Sequence, residues 1–180
     1  MNNEIIDKFC ASAIERGATN AVLIHPSSVV TAQWVRLKCQ FGCGGFGKSY
    51  CCPPDTPTPE KTRMILDSYS RAILFHLEVP QTPERGKAFK TFFKMLPKLE
   101  GEMFKEGFYR AFVFMSGPCR LCKTCGKLED DPCQFMELAR PSMEGCGIDV
   151  YQTARNNGFF IEPLSDNSET QNNYCLMLLD

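Results

Sequence analysis

The stretch Phe108-Tyr-Arg-Ala-Phe-Val-Phe-Met-Ser-Gly-Pro-Cys119-Arg-Leu-Cys122-Lys-Thr-Cys125 joins a continuous apolar run to regularly spaced thiols. Its first half, residues 108–115, predicts a strand covered on both faces, because buried strands read as unbroken hydrophobic runs. Gly117-Pro118 ends that strand. The thiols beyond it sit among Arg120, Lys123 and Gly126, the composition of a polar turn and not of a packed core. A site carried directly on a buried strand is held by a rigid element, as sites on α/β sheets often are.

Ordinary α/β segments alternate on either side. Residues 3–16 place Ile5, Ile6, Phe9, Cys10, Ala13 and Ile14 at helical spacing, and Gly17 ends the helix. Residues 21–24 predict a short strand, and residues 29–38 a second. Thr58-Pro59-Glu60 opens a helix to about Tyr69, with a capping hydroxyl, proline at its first position and an early carboxylate. Residues 71–78 predict a strand. Thr82-Pro83-Glu84 starts another helix, striped by Phe89, Phe92, Phe93, Leu96, Leu99 and Met103, which Pro97 should kink or divide. A short helix after Cys133, one over residues 148–156 and a strand over 174–179 follow. Together these predict one α/β domain over residues 1–180, with a mixed sheet, flanking helices and two cysteine-rich loops at 39–58 and 117–133.

Composition narrows the function classes. The 180 residues carry 20 Lys+Arg against 21 Asp+Glu, which gives no reason to expect nucleic acid or an anionic membrane as partner. No apolar stretch approaches the ~18 residues of a membrane span. Met1-Asn2-Asn3-Glu4 lacks a basic or apolar leader, so a cytoplasmic location with reduced thiols is expected. Eleven cysteines accompany only two histidines, and an odd count argues against a fully paired disulfide framework.

Cys119, Cys122 and Cys125 at two-residue gaps let one tight turn wrap three corners of a small object, and Cys133 can close the shell. This is the bacterial ferredoxin pattern for a [4Fe-4S] cluster, although Gln134 stands where proline usually follows the remote cysteine. Zinc in a four-thiolate site is the rival, but no second C-x2-C knuckle faces the first.

The first loop offers Cys39, Cys43 and Cys52 around several glycines. Gly42 to Ser49 formally satisfies the P-loop pattern, yet Pro53-Pro54 follows too soon for the helix a P-loop needs. The radical-SAM spacing fails at Phe46. A second metal site is the better reading, with Arg36, Lys38 and Lys48 as cations near an anionic cluster or simply as a solvated basic patch. Its fourth ligand is open between Cys51 and Cys146. If neither binds, one iron would face solvent or substrate.

The motifs ending in Gly47-Lys48-x-x-x-Cys52-Pro53-Pro54, then Gly117-Pro118-Cys119-x-x-Cys122-x-x-Cys125, then Pro141-Ser142-Met143-Glu144-x-x-Gly147-Ile148-Asp149-Val150, resemble a family of predicted metal-binding, cysteine-rich proteins designated a domain of unknown function. The resemblance runs from Arg36 to Asp180. It implies a metal, with Cys39, Cys43 and Cys52 in one group and Cys119, Cys122, Cys125 and Cys133 in the other, and it supplies no reaction.

His76 alternates with apolar residues and reads as a core or surface histidine, and Cys10, Cys175, Trp34 and the phenylalanines of residues 89–104 read as core residues. Glu129-Asp130-Asp131 reads as a solvated turn. No acid–base catalytic grouping stands out. The expected function is an iron–sulfur protein with one or two [4Fe-4S] clusters, serving a redox partner protein by electron transfer or as an accessory. A zinc-stapled binding module and an enzyme with an open-iron cluster are the alternatives, and oligomeric state is not legible.

Overall fold

The apolar stripe at the start of the chain does form a helix, α1 (Asn3–Glu15), in a computed structural model that describes residues 3–166 and 168–180. The first strand, β1 (Asn20–Ile24), follows. The strand expected over 29–38 is a helix instead: α2 spans Gln33–Gly42. Only Thr31 is extended enough to bridge a neighbour, Ile148. From Gln33 onward burial falls on Val35, with Arg36 and Cys39 half-buried, a helical repeat that the β-branched Val29, Val30 and Thr31 masked. Trp34, expected in the core, is 46% exposed because it lies on the outer side of this helix.

The expected helix after Thr58 is α3 (Pro59–Asp67), and the Thr58 hydroxyl accepts the Lys61 amide as its cap. Strand β2 (Ala72–Val79) leads to α4 (Arg85–Lys105), which runs through Pro97 undivided. The run 108–115 yields only β3 (Phe112–Phe114), an edge strand whose Val113 and Phe114 are buried on opposite faces of the sheet while Phe112 at its start is exposed. Residues 134–138 after Cys133 are turns and not a helix. The chain ends in α5 (Val150–Asn156) and β4 (Gln171–Leu178).

The strands lie in the order β1-β2-β4-β3, and every adjacent pair is antiparallel, where a mixed sheet was expected. The reason is the last strand. β2 and β3 run the same way on either side of α4, the relation expected of alternating helices and strands, but β4 inserts between them in the opposite direction.

Two-residue alternation splits the core between the faces of this sheet. Ile73, Phe75 and Leu77 of β2, with Cys175 and Met177 of β4, pack against α1 and α4. Ala72, Leu74, Tyr174, Leu176 and Leu178 face α3, α5 and the segment Met143–Ile148. The first cysteine loop meets the segment beside that second face, where the Ser142 amide donates to the Cys51 carbonyl. The second loop instead reaches α4 on the other side, with Arg120 over the Phe89 ring. No helix among the described residues is long and apolar enough to cross a membrane.

Candidate metal centre

The second cysteine loop closes on itself. After Cys125 a single turn of 3-10 helix covers Gly126–Glu129, and the Asp131 amide returns to the Gly126 carbonyl at 2.9 Å. A Cβ on Gly126 would sit 2.8 Å from the Pro132 carbonyl, so only glycine lets the chain fold back this closely. The return brings Cys133 to the wall of a cavity of about 280 Å³ that Cys119, Cys122 and Cys125 also line. The segment beyond Cys133 is anchored by Arg140, whose guanidinium forks onto Glu100 of α4 at 2.6–3.2 Å. Glu100 in turn accepts the Val113 amide of β3 at 2.7 Å.

A fifth thiol lines the same cavity, and it comes from the first loop: Cys51. Its sulfur hydrogen-bonds to that of Cys119, which with the Leu121 amide pulls the Cys119 thiol down to about 6 despite its burial. The same hydrogen bond, reinforced by burial and the neighbouring thiols, pushes Cys51 well up. Cys122 is pushed up by desolvation and by Cys119, Cys125 and Cys133 together.

Its neighbour Cys52 lines a different cavity of about 400 Å³, with Cys39 and Cys43. Cys39 rides the last turn of α2 and Cys43 stands at its C-cap. Burial pushes both Cys39 and Cys52 up; Cys39 is raised further by Cys43 and Glu144, and Cys52 by Cys43, Cys39 and Cys119. The Gly45 amide donates to the Cys43 sulfur at 3.4 Å, and the Cys119 amide hydrogen-bonds to Cys52. Gly45 and Pro118 line both cavities. Two sequence-adjacent thiols therefore belong to two separate walls.

The loops are tied across this boundary. Tyr50 donates its hydroxyl to the Asp131 carbonyl at 2.9 Å, and Lys127 pairs with Asp55. Arg36 spends one nitrogen on the carbonyls of Gly145 at 2.8 Å and Pro57 at 3.0 Å, pinning α2 to both flanking loops. It is a structural clamp and not part of a solvated patch. Lys38 lines the first cavity and Lys48 the second.

Cys146 is elsewhere. It is fully buried among Met143, Ile148 and Leu66, its carbonyl takes the Thr62 hydroxyl at 2.7 Å, and burial pushes its thiol up to about 12. It lines neither cavity. Its neighbour Glu144 does line the first, accepting the Gly117 amide at 3.0 Å, and desolvation raises its carboxyl. Sequence reading missed Glu144, because nothing in the spacing of Pro141–Val150 separates a cavity residue from a packing one. The P-loop pattern is a coincidence, since residues 44–47 form turns and no helix opens at Lys48-Ser49. His76 is buried with its Nε2 2.7 Å from Asn172, and Cys10 and Cys175 pack on the sheet core.

Thiols that raise one another's pKa gain from a cation that takes up their charge, so the donor set suits a thiolate-bound metal group. Among the described residues no three His, Cys, Asp or Glu side chains stand close enough to hold one metal ion. The five thiols instead surround a void of about 280 Å³, well beyond the roughly 30 Å³ share of a single water.

No curated protein and no solved structure matches the chain. Residues 22–179 match the family described as Predicted metal-binding protein (DUF2284), and the chain belongs to that family.

Proposed function

From membership of a family of predicted metal-binding proteins, we propose that this chain is an iron–sulfur protein that holds one or two [4Fe-4S] clusters and passes electrons to or from a partner protein. The observation that carries the reading is the wall of the second cavity, where the C-x2-C-x2-C thiols, Cys133 and Cys51 face one space. Cys119, Cys122, Cys125 and Cys133 would hold one cluster, with Cys51 tuning it through Cys119. Cys39, Cys43 and Cys52 would hold the other.

When bound, such clusters supply one-electron redox chemistry. The chain's own part is to set their surroundings. The Gly45 and Cys119 amides donate to Cys43 and Cys52, and hydrogen bonds to sulfur raise a cluster's potential. Cys51 and Cys52 join the two walls through one peptide bond, a short route for an electron between them. The exposed Glu129-Asp130-Asp131 turn beside the second loop offers a charged edge to a redox partner.

One observation favours a second reading for the first cavity alone. No fourth thiol lines it. A cluster bound there by three cysteines would keep one iron open to substrate.

Anaerobically purified protein should be brown, absorb broadly near about 400 nm and contain iron and sulfide in equal amounts, with EPR signals on reduction. A colourless protein containing zinc alone overturns both iron readings.

A further inference from the structure

Between the second cysteine loop and α4 lies a cleft of about 510 Å³, and its charge is one-sided. Lys90, Lys94, Arg120, Lys123 and Arg140 line it, and among the described residues no carboxylate does. The bias begins in the sequence, where Arg85, Lys87, Lys90, Lys94 and Lys98 fall between Glu84 and Glu100 with no acidic residue among them. Two of the lining cations are already in use. Arg140 is paired with Glu100, and Lys123 also lines the cavity of the second-loop thiols. Lys90, Lys94 and Arg120 do not line that cavity, and among the described residues none of the three pairs with a carboxylate.

An aromatic row runs beside the basic one. Residues four apart on a helix are neighbours, so Phe89 and Phe93 form one row of α4 and Lys90 and Lys94 the next. Phe93 is half-buried, stacked on Phe89 at 5.8 Å and edge-on to Phe92 at 5.9 Å, which props its ring in one orientation. Gly86 lines the same cleft near the start of α4, and a Cβ there would meet nothing within 4 Å. A few charges set over an apolar lining are the composition of a small-molecule site.

We propose that this cleft binds a small organic anion with a flat apolar body and a doubly charged group of the phosphate type. The flat body lies against Phe93, because aromatic faces pack in offset stacks. The charged group is met by Lys90, Lys94 and Arg120, cations that suit phosphate oxygens and have no carboxylate to neutralise them here. The ligand would sit beside Cys119 and Cys122, which line both this cleft and the second cavity. Binding needs no metal, so this proposal and the iron–sulfur reading fail separately.

Calorimetry of the intact chain, purified anaerobically, tests it with 1-naphthyl phosphate, with 1-naphthol as the uncharged body and with inorganic phosphate as the charge alone. 1-Naphthyl phosphate should bind at least about ten-fold more tightly than either, and should weaken several-fold as added salt screens the charges. Lys90→Met and Lys94→Met, at exposed positions, should each weaken it about two- to five-fold while moving 1-naphthol less than about two-fold. Phe93→Ala should weaken both naphthyl ligands and leave inorganic phosphate unmoved. Gly86→Leu fills open space and suits a helix better than glycine, so its melting temperature should hold or rise while 1-naphthyl phosphate weakens about ten-fold or more. If Phe93→Ala fails to fold, the lysine and Gly86 variants carry the test. No binding of 1-naphthyl phosphate, equal affinity for 1-naphthol or inorganic phosphate, or indifference to the lysine and Gly86 variants would each overturn the proposal. Tighter binding of an octaglutamate peptide would overturn it too, as the mark of a basic face for an acidic partner protein. Binding by protein found to lack iron would sustain it while the cluster reading fell, and its absence from brown, iron-loaded protein would overturn it alone.

Discussion

The two cavities draw on the chain in opposite ways. Three thiols of the second come from the seven residues of Cys119–Cys125, and a fourth returns on a short excursion closed at Gly126. The first takes Cys39 from a helix, Cys43 from its cap, Cys52 from a turn and its far wall from β4, more than a hundred residues later in the chain. A wall built mostly by one loop, closed by Gly45 and residues 48–51 of the other, depends largely on that loop's own dihedrals. A wall assembled from several elements depends on every contact that holds them in place, and here those contacts are Arg36, Gly147 and the register of β4. The difference teaches that thiol spacing alone describes only the simpler of the two sites.

The sharpest way to break this contrast is at a cysteine that touches both sides. Cys119 contacts Cys51 through sulfur and Cys52 through its amide. Cys119→Ser should remove about half the iron and sulfide, and Cys43→Ser the other half, by stoichiometric analysis. If each variant loses all of it, the two cavities are one centre.

Arg140→Ala comes next. The Arg140–Glu100 pair is largely out of solvent, so stranding Glu100 should cost about 3–5 kcal/mol in urea unfolding. Iron should leave the second cavity before the first. Gly147→Ala is the counterpart for the first cavity. Its φ of +78° costs a side chain about 1–3 kcal/mol, and the new methyl would also collide with the Pro59 ring. Here the order of iron loss should reverse. The smallest effect belongs to Thr58→Ala, which removes the cap of α3 for about 1 kcal/mol and should leave the iron content unchanged.

Much of the molecule was legible because it is local. The helix of residues 3–15, the Thr58 cap and the C-x2-C-x2-C turn all depend on residues a few positions apart. The misreadings share a cause. Residues 29–38 read as a strand in the sequence because three β-branched residues precede a helix whose buried side shows only once it is packed. The sheet was expected to be mixed because nothing local announces that β4 slots between β2 and β3.

The same division runs through the site. The chain alone supplied the donors on which the proposed function rests, thiols at regular spacings beside only two histidines. Packing settled which sulfurs share a wall: Cys51 sides with the second loop, Cys52 with the first cavity, and Cys146 withdraws into the core. Neighbouring residues differ there only in the direction of a Cα–Cβ bond. That direction acquires meaning when β4, α2 and the two loops meet around it.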